Sequence, residues 1–539
     1  MRGMILIAIG FSVVCLPALA GEDWPQFRGP GGSATAPKTQ LPDKWGADKN
    51  IAWKAKLPGY GWSSPIVWGD KVFLTTAVSD KQRKPAAGFG GRGENGGGPP
   101  GGRRPGAGGP GMFPGFAPPA QVMPDFLQGM LQLTDEQKKQ IADLQKEADG
   151  KLDKILNDEQ KKQLKDMRAR SRGPGFGRMQ KPPDAIYKLE VYCLDRGSGK
   201  VLWKQLAYEG KPRIPTQPSN TYATETPITD GQRLYAYFGM HGVYCYDLGG
   251  NLLWKKDLGS YPMALGFGTG SSPALADGRL FIQCDNEQKS FLAALDAATG
   301  AELWRVPRPE RTGYSTPFVW KNKARTEVVC LGGSRVRSYD PATGKQLWEL
   351  GGMAGQAKAS PAASEELLYV GTGGGPGGGG GRGGPGGGFG SSGNRPLFAV
   401  KAGASGDISL KKGAASNDGI AWYQAKAGPQ TASLLLYNEQ LYILDEHGGF
   451  LSCYDAKTGE QKYKERLPGA RGFTSSPWAA DGKVFCLDDA GTTYIVQAGP
   501  AFKIVGKNTV EEMCWSSPAV AGHALFLRGV DHLFCIKAK

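Results

Sequence analysis

A chain of 539 residues with 40% apolar side chains has enough material for a sizeable core, which excludes a sequence too polar to fold. Its 82 glycines and 38 prolines point to long stretches outside regular structure. The net charge of +15 argues less for a nucleic-acid partner than its size suggests. About half of the excess lies between Asp80 and Pro183, and no basic face with interleaved aromatics is visible, so no nucleic-acid binding is expected.

Residues 1–20 read as an export signal. Arg2 supplies the positive start, Met4 to Leu16 the apolar stretch, and Ala18-Leu19-Ala20 a small-residue cleavage site before Gly21. No later window of about 20 apolar residues exists, so no transmembrane span is expected. The expected product is a soluble, monomeric, exported protein, periplasmic or otherwise extracytoplasmic. Export permits disulfides, and eight cysteines follow Gly21. Yet Cys193, Cys245, Cys453 and Cys535 share a repeated position where Ala294 and Ser338 stand in other copies. That position asks for smallness, and buried thiols are the simpler reading.

Residues 21–57 form an extension ending in Ile51-Ala52-Trp53-Lys54-Ala55-Lys56-Leu57, which reads as a strand. From there one unit recurs. A Ser/Thr-Pro opening leads into an apolar run, a tight turn, a β-rich run, and an Asp…Gly turn that runs into a final aromatic strand. The openings are Ser64-Pro65, Thr226-Pro227, Ser272-Pro273, Thr316-Pro317, Ser360-Pro361, Ser476-Pro477 and Ser517-Pro518, and an eighth unit from Gln430 to Tyr463 lacks the proline. The closest spacings, about 41–46 residues, suit four-stranded propeller blades. In the Asp…Gly turn, Asp holds backbone N–H groups ahead of it and Gly supplies a positive φ. The final aromatic is large enough that a lone sheet cannot bury it. It is expected to lie against the next blade, where the small first-position residue leaves room, and to contribute about 2–3 kcal/mol per unit.

Ala294/Gly300/Trp304, Cys193/Gly199/Trp203 and Ser338/Gly344/Trp348 share one spacing; Cys453/Gly459 carries Tyr463 in place of Trp, and the Cys245 unit ending at Trp254 is one residue short. This pattern resembles the tryptophan-docking repeat of the PQQ-like, quinoprotein-type β-propeller family and its non-catalytic relatives. Trp24-Pro25-Gln26-Phe27-Arg28-Gly29-Pro30 also resembles the start of exported bacterial members. The expected fold is all-β: an eight-bladed propeller of four-stranded antiparallel blades over 58–80 and 184–539, with the strand around Trp53 completing the last blade. Trp53, Trp203, Trp254, Trp304, Trp348, Trp422 and Tyr463 are the expected docking aromatics, with Gly199, Gly300, Gly344 and Gly459 in the turns.

Two inserts break the period, 81–183 in the first blade and 371–394 in the fifth. Their Gly/Pro-rich parts are expected to be mobile. Inside the first, Leu133–Gln137 recurs as Leu156–Gln160, and Thr134 with Gln137 and Asn157 with Gln160 fit capping boxes. With Ile141, Leu144, Ala148, Leu152, Ile155, Leu164 and Met167 at helical spacing, a hairpin over about 133–170 is expected. The Leu-Thr-x-x-Gln pattern resembles Spy/CpxP-type envelope chaperones, which leaves two roles open: a clip on the propeller rim or a partner-binding element.

For chemistry, the resemblance implies PQQ with Ca²⁺ on the propeller axis as the enzyme alternative, an alcohol or sugar dehydrogenase. The adjacent Cys-Cys pair of that family is missing, no CxxCH haem site exists, and no metal or catalytic residue is assigned. Axis-facing positions lie just before each Ser/Thr-Pro. They include Trp62, Tyr314, Lys358 and Trp515, and one residue further on the second unit alone carries an acid, Glu225. Glu225 with Lys358 and Arg471 forms a candidate polar site or a solvated lining, and Trp62 with Trp515 a platform or a plug. A non-catalytic scaffold for envelope proteins, similar to the propeller of the β-barrel assembly machinery, is the expected function; a carbohydrate-binding propeller is a further alternative.

Overall fold

The computed structural model describes residues 23–47, 49–85, 122–123, 133–171, 181–373, 394–470 and 472–538. The stretch read as an export signal, the Gly-rich linkers and Arg471 lie outside these residues.

The strands form eight sheets arranged as propeller blades. Blade 1 is Ile66–Trp68, Lys71–Val78, Tyr187–Asp195 and Val201–Gly210, and blade 3 is Ala274–Ala276, Arg279–Cys284, Phe291–Asp296 and Glu302–Pro307. Apolar second and third strands explain why each blade is buried through its middle: Phe281, Ile282, Leu292 and Ala293 are all fully buried. Ring closure comes from the front of the chain. Ile51–Lys56 pairs antiparallel with His532–Lys537, Trp53 opposite Cys535, and completes blade 8. The last sheet thereby loses the open edge that would otherwise invite aggregation.

A ring of hydroxyls explains the recurring Ser/Thr before Pro. Ser64 N–H donates to Thr226 Oγ1 (2.9 Å), Thr226 N–H to Ser272 Oγ (2.9 Å), and Ser272 N–H to Thr316 Oγ1 (3.1 Å). The link recurs from Ser360 to Ser433, Ser476 and Ser517. These bonds run around the axis, perpendicular to the sheets, and tie each innermost strand to the next.

Two additions were not anticipated. Gly406–Asp407 pairs parallel with the outer strand of blade 4, and Thr35–Ala36 pairs parallel with the innermost strand of blade 7. The insert of blade 1 holds helices Asp135–Ile155 and Asp158–Ser171. Thr134 and Gln137 form the capping box, and Asn157 and Gln160 exchange the same pair of bonds. Among the described residues, none of the first helix is buried, and Ile155 is 75% exposed.

Candidate functional site

The docking aromatics follow one geometry with two departures. The indole of Trp53 lies over Gly199, Trp203 over Gly250, Trp254 over Gly300, Trp304 over Gly344 and Trp422 over Gly459, each glycine belonging to the next blade and each with positive φ. The ring N–H donates to a backbone carbonyl across the seam, as from Trp53 to Arg196 (2.9 Å) and from Trp254 to Ala297 (3.2 Å). The small residue plays a different part from the one expected. Cys193 stands opposite Trp203, Ala294 opposite Trp304 and Ser338 opposite Trp348 within the same blade. It lets the indole lean across its own sheet, and glycine makes the room in the neighbour. Trp348 turns inward, donating to Glu327 Oε2 at 2.7 Å, because the following blade carries no Asp…Gly turn. Tyr463 packs edge-on against Phe502 (5.4 Å) with its hydroxyl unpaired.

The strands alternate in direction, so the loops into the innermost strands and those from second to third strand share one face, here the loop face. The tight Asp…Gly turns share the other. The channel along the axis is occupied from the turn face by a segment that sequence reading did not place. Trp24 pairs with Val67 in both directions (2.8 and 2.9 Å), Pro25 O accepts from Thr229 N–H (3.0 Å), and Ala34 O accepts from Ala479 N–H (2.9 Å). Gly32 sits against Phe318. Arg28, 2% exposed, donates to Pro361 O (2.6 Å) and to Leu434 O. Residues 24–36 thus touch the innermost strands of blades 1, 2, 4, 5, 6 and 7. Arg28 has no carboxylate partner, and burial lowers its guanidinium to about 9. The Arg28 backbone has φ 63 and Gly29 φ 69, a sharp bend that a Cβ on Gly29 would drive into the Trp24 ring at 2.6 Å.

At the loop-face mouth, Trp62 and Trp515 stack on each other, centroids 5.4 Å apart and planes 30° apart. Trp62 Nε1–H donates to Ser219 O at 2.8 Å. Lys358 pairs with Glu446 (3.7 Å) beside Thr431, and Asp489 close by accepts from Thr474 N–H (2.9 Å). Burial raises the Asp489 carboxyl, with Asp488 and Glu446 adding to the effect. Tyr314 keeps a buried, unpaired hydroxyl, which burial pushes above its usual range.

Glu225 stands apart. It is 1% exposed, its Oε1 has no hydrogen-bond partner, and burial raises its carboxyl to about 7 against the opposing pull of the Thr269 hydroxyl. The structure does not join it to Lys358, whose partner is Glu446, and Arg471 lies outside the described residues. All eight cysteines from Cys193 to Cys535 are buried free thiols, raised by desolvation wherever their ionisation is perturbed.

These observations bear on the implied quinone and calcium. A planar ligand between two rings needs about 7 Å, more than the separation of Trp62 and Trp515. Among the described residues no three His, Cys, Asp or Glu side chains group as a metal site requires. With Trp24 and Arg28 filling the channel from the other side, the axis of this chain does not fit the group. No helix among the described residues is long and apolar enough to cross a membrane.

Comparison with known proteins agrees with the repeat. The family described as outer membrane protein assembly factor BamB matches residues 188–350 and 239–380. No curated protein matches. Among solved structures, a europium-containing methanol dehydrogenase is similar over 95% of this chain and 90% of its own, at 9% identity and TM-score 0.51. BamB from Moraxella catarrhalis is similar over 67% of this chain and 90% of its own, at 14% identity and TM-score 0.45. At such identities the likeness reaches the fold alone. Residues 188–380 match the assembly-factor family model, and with its eight-bladed ring the chain is similar to PQQ-like β-propellers.

Proposed function

We propose that this chain is an exported, non-catalytic propeller that holds a protein partner of the cell envelope on its loop face. The observation that carries the reading is the closed axis: residues 24–36 cross the channel from the turn face, and the stacked Trp62 and Trp515 cover the other mouth. A propeller whose axis is filled has its faces left for work. The loop face is favoured because the second-to-third strand connections of blades 1 and 5 are the long ones, and these blades lie across the ring from each other. On the turn face, the tight turns of blades 1, 3, 4 and 6 repeat one pattern. Asp195, Asp296, Asp340 and Asp455 each accept backbone N–H bonds within their own turns, so their carboxylates are already used.

The test compares the full chain with one lacking residues 81–183 after crosslinking in the envelope. Partners crosslinked to the full chain and lost on deletion, with the thermal transition of the propeller unchanged, are expected. An identical set of partners in both would overturn the assignment of the face.

A further inference from the structure

The seam between blades 2 and 3 encloses an acid that no cation answers. Glu225 is 1% exposed, and its Oε1 lies buried without a hydrogen-bond partner. The Thr269 hydroxyl and the backbone N–H groups of Thr224 and Glu225 bond the carboxyl and favour its ionised form, yet burial outweighs them. Room is short at this spot. A Cβ on Gly239 would stand 2.2 Å from Thr269 Oγ1 and 3.0 Å from Glu225 Oε1, so only glycine fits beside them.

The charged and titratable groups of the surrounding elements have other partners. Among the described residues Tyr237 is the ionisable side chain that feels Glu225, and burial keeps its phenol neutral. His241, two residues beyond Gly239, accepts the Arg213 N–H and faces Phe238 O, while the Arg213 guanidinium grips Asp257. In blade 3, Arg308 holds Asp285 through two bonds (2.8 and 2.9 Å), and burial keeps the Cys284 thiol neutral. Arg528, from blade 8, donates to Ser63 O and Oγ. Glu225 thus changes charge alone. In the loop over the seam, Leu265, Gly266 and Gly268 all have positive φ (54, 67 and 80). Side chains hold that loop: Asn220 Nδ2 donates to Phe267 O (2.9 Å) and Thr269 O (3.1 Å), and Thr312 Oγ1 accepts from Ala264 N–H (2.9 Å). A segment held in this way opens before the strands do.

We propose that Glu225 and residues 264–269 form a proton-operated latch on the loop face. With the carboxyl protonated, its O–H is given to Thr269 Oγ1, the hydroxyl turning to accept, and the loop is seated. On ionisation the proton leaves to solvent, water must reach the buried charge, and the loop lifts to admit it. The unfolded chain releases this proton first, in the ordinary carboxylate range, and the folded seam releases it only at about 7. The stabilising contribution is therefore complete below the ordinary carboxylate range and is lost as pH rises to about 7. The latch belongs to the ring itself and stands whether or not the loop face holds a partner.

The test compares thermal transitions of the full chain and of Glu225→Gln, measured side by side from pH 5 to pH 8.5. Glutamine keeps the shape and the donor of the protonated acid, and the variant shares every other titrating group, so the difference isolates Glu225. The gap should widen by a few degrees in favour of the variant between pH 5 and pH 7 and stay level above. Thr269→Val, which removes a bond favouring the ionised form, should carry the loss of stability to higher pH. Hydrogen exchange over residues 237–242 and 264–271, corrected for intrinsic rates, should quicken at pH 8.5 in the full chain and stay unchanged in Glu225→Gln. A gap that is constant with pH would overturn the latch, and so would seam exchange that quickens equally in both proteins. Should the variant fold poorly, the full chain alone decides: corrected seam exchange equal at pH 5 and pH 8.5 overturns the latch.

Discussion

Blade 3 offers two glycines of nearly equal backbone conformation and opposite surroundings. Gly300 has φ 73, and a Cβ there would stand 2.6 Å from Trp254 Cε3; Gly278 has φ 71, and a Cβ would meet nothing within 4 Å. Alanine at Gly278 bears the left-handed backbone cost alone, about 1–2 kcal/mol. Alanine at Gly300 bears the same cost and an overlap with an indole whose N–H is pinned to Ala297 O, which adds about 1–3 kcal/mol. Calorimetric scans of Gly278→Ala and Gly300→Ala, repeated at several scan rates, should show Gly300→Ala melting lower by a few degrees. In a Trp254→Ala background the difference should vanish, because the overlapping ring is gone. Equal losses at the two positions would refute the docking account and leave only a turn requirement.

Two further outcomes follow from the buried ionisable groups. Arg28→Ala leaves the carbonyls of Pro361 and Leu434 without a donor, a loss of about 1–3 kcal/mol each; hydrogen exchange should then quicken over residues 24–36 while the outer strands keep their protection. His241 is 5% exposed, accepts the Arg213 N–H at Nε2 (3.2 Å) and faces Phe238 O with Nδ1 (3.3 Å), and burial lowers it to about 4. The unfolded chain binds the proton first, so this contribution is complete above about pH 6.5 and is lost as pH falls toward 4. It amounts to no more than about 3 kcal/mol, and chemical denaturation of His241→Asn across that range should show a shallower slope than the parent chain.

The ring was legible because its parts repeat. The Ser/Thr-Pro opening recurs in seven units and the Asp…Gly turn with its aromatic in several, so the count of eight and the completing role of the strand around Trp53 could be read before any coordinates. What repeats does not reveal what differs. Trp24 to Ala36 has no period, and its partners are backbone atoms of five blades and the Phe318 ring of a sixth, so no residue pattern marks it as the filling of the channel; the glycines after Arg28 are the one signal the sequence offers. The two roles within the docking motif were assigned to the wrong member: Cys193 and Ala294 face their own tryptophan across one sheet, while Gly250 and Gly300 admit the neighbour's. Trp348 departs because its partner blade replaces the turn with a long connection, and Glu327 Oε2, which also accepts from the Ser338 hydroxyl, takes its N–H instead. At the candidate site, Glu225 was singled out as the lone acid of its position, but its surroundings come from Gly239 and Thr269, residues of other elements that look ordinary in the chain. Lys358 finds its acid in Glu446, two connections away in the next blade.

The filled axis is tested most directly by titrating the purified chain with PQQ and Ca²⁺ while following the quinone absorbance and alcohol- or sugar-dependent dye reduction. With Trp24 and Arg28 below and the Trp62–Trp515 stack above, no saturable spectral shift and no dye reduction are predicted. One equivalent of quinone bound with turnover would contradict the closed channel and the scaffold reading together.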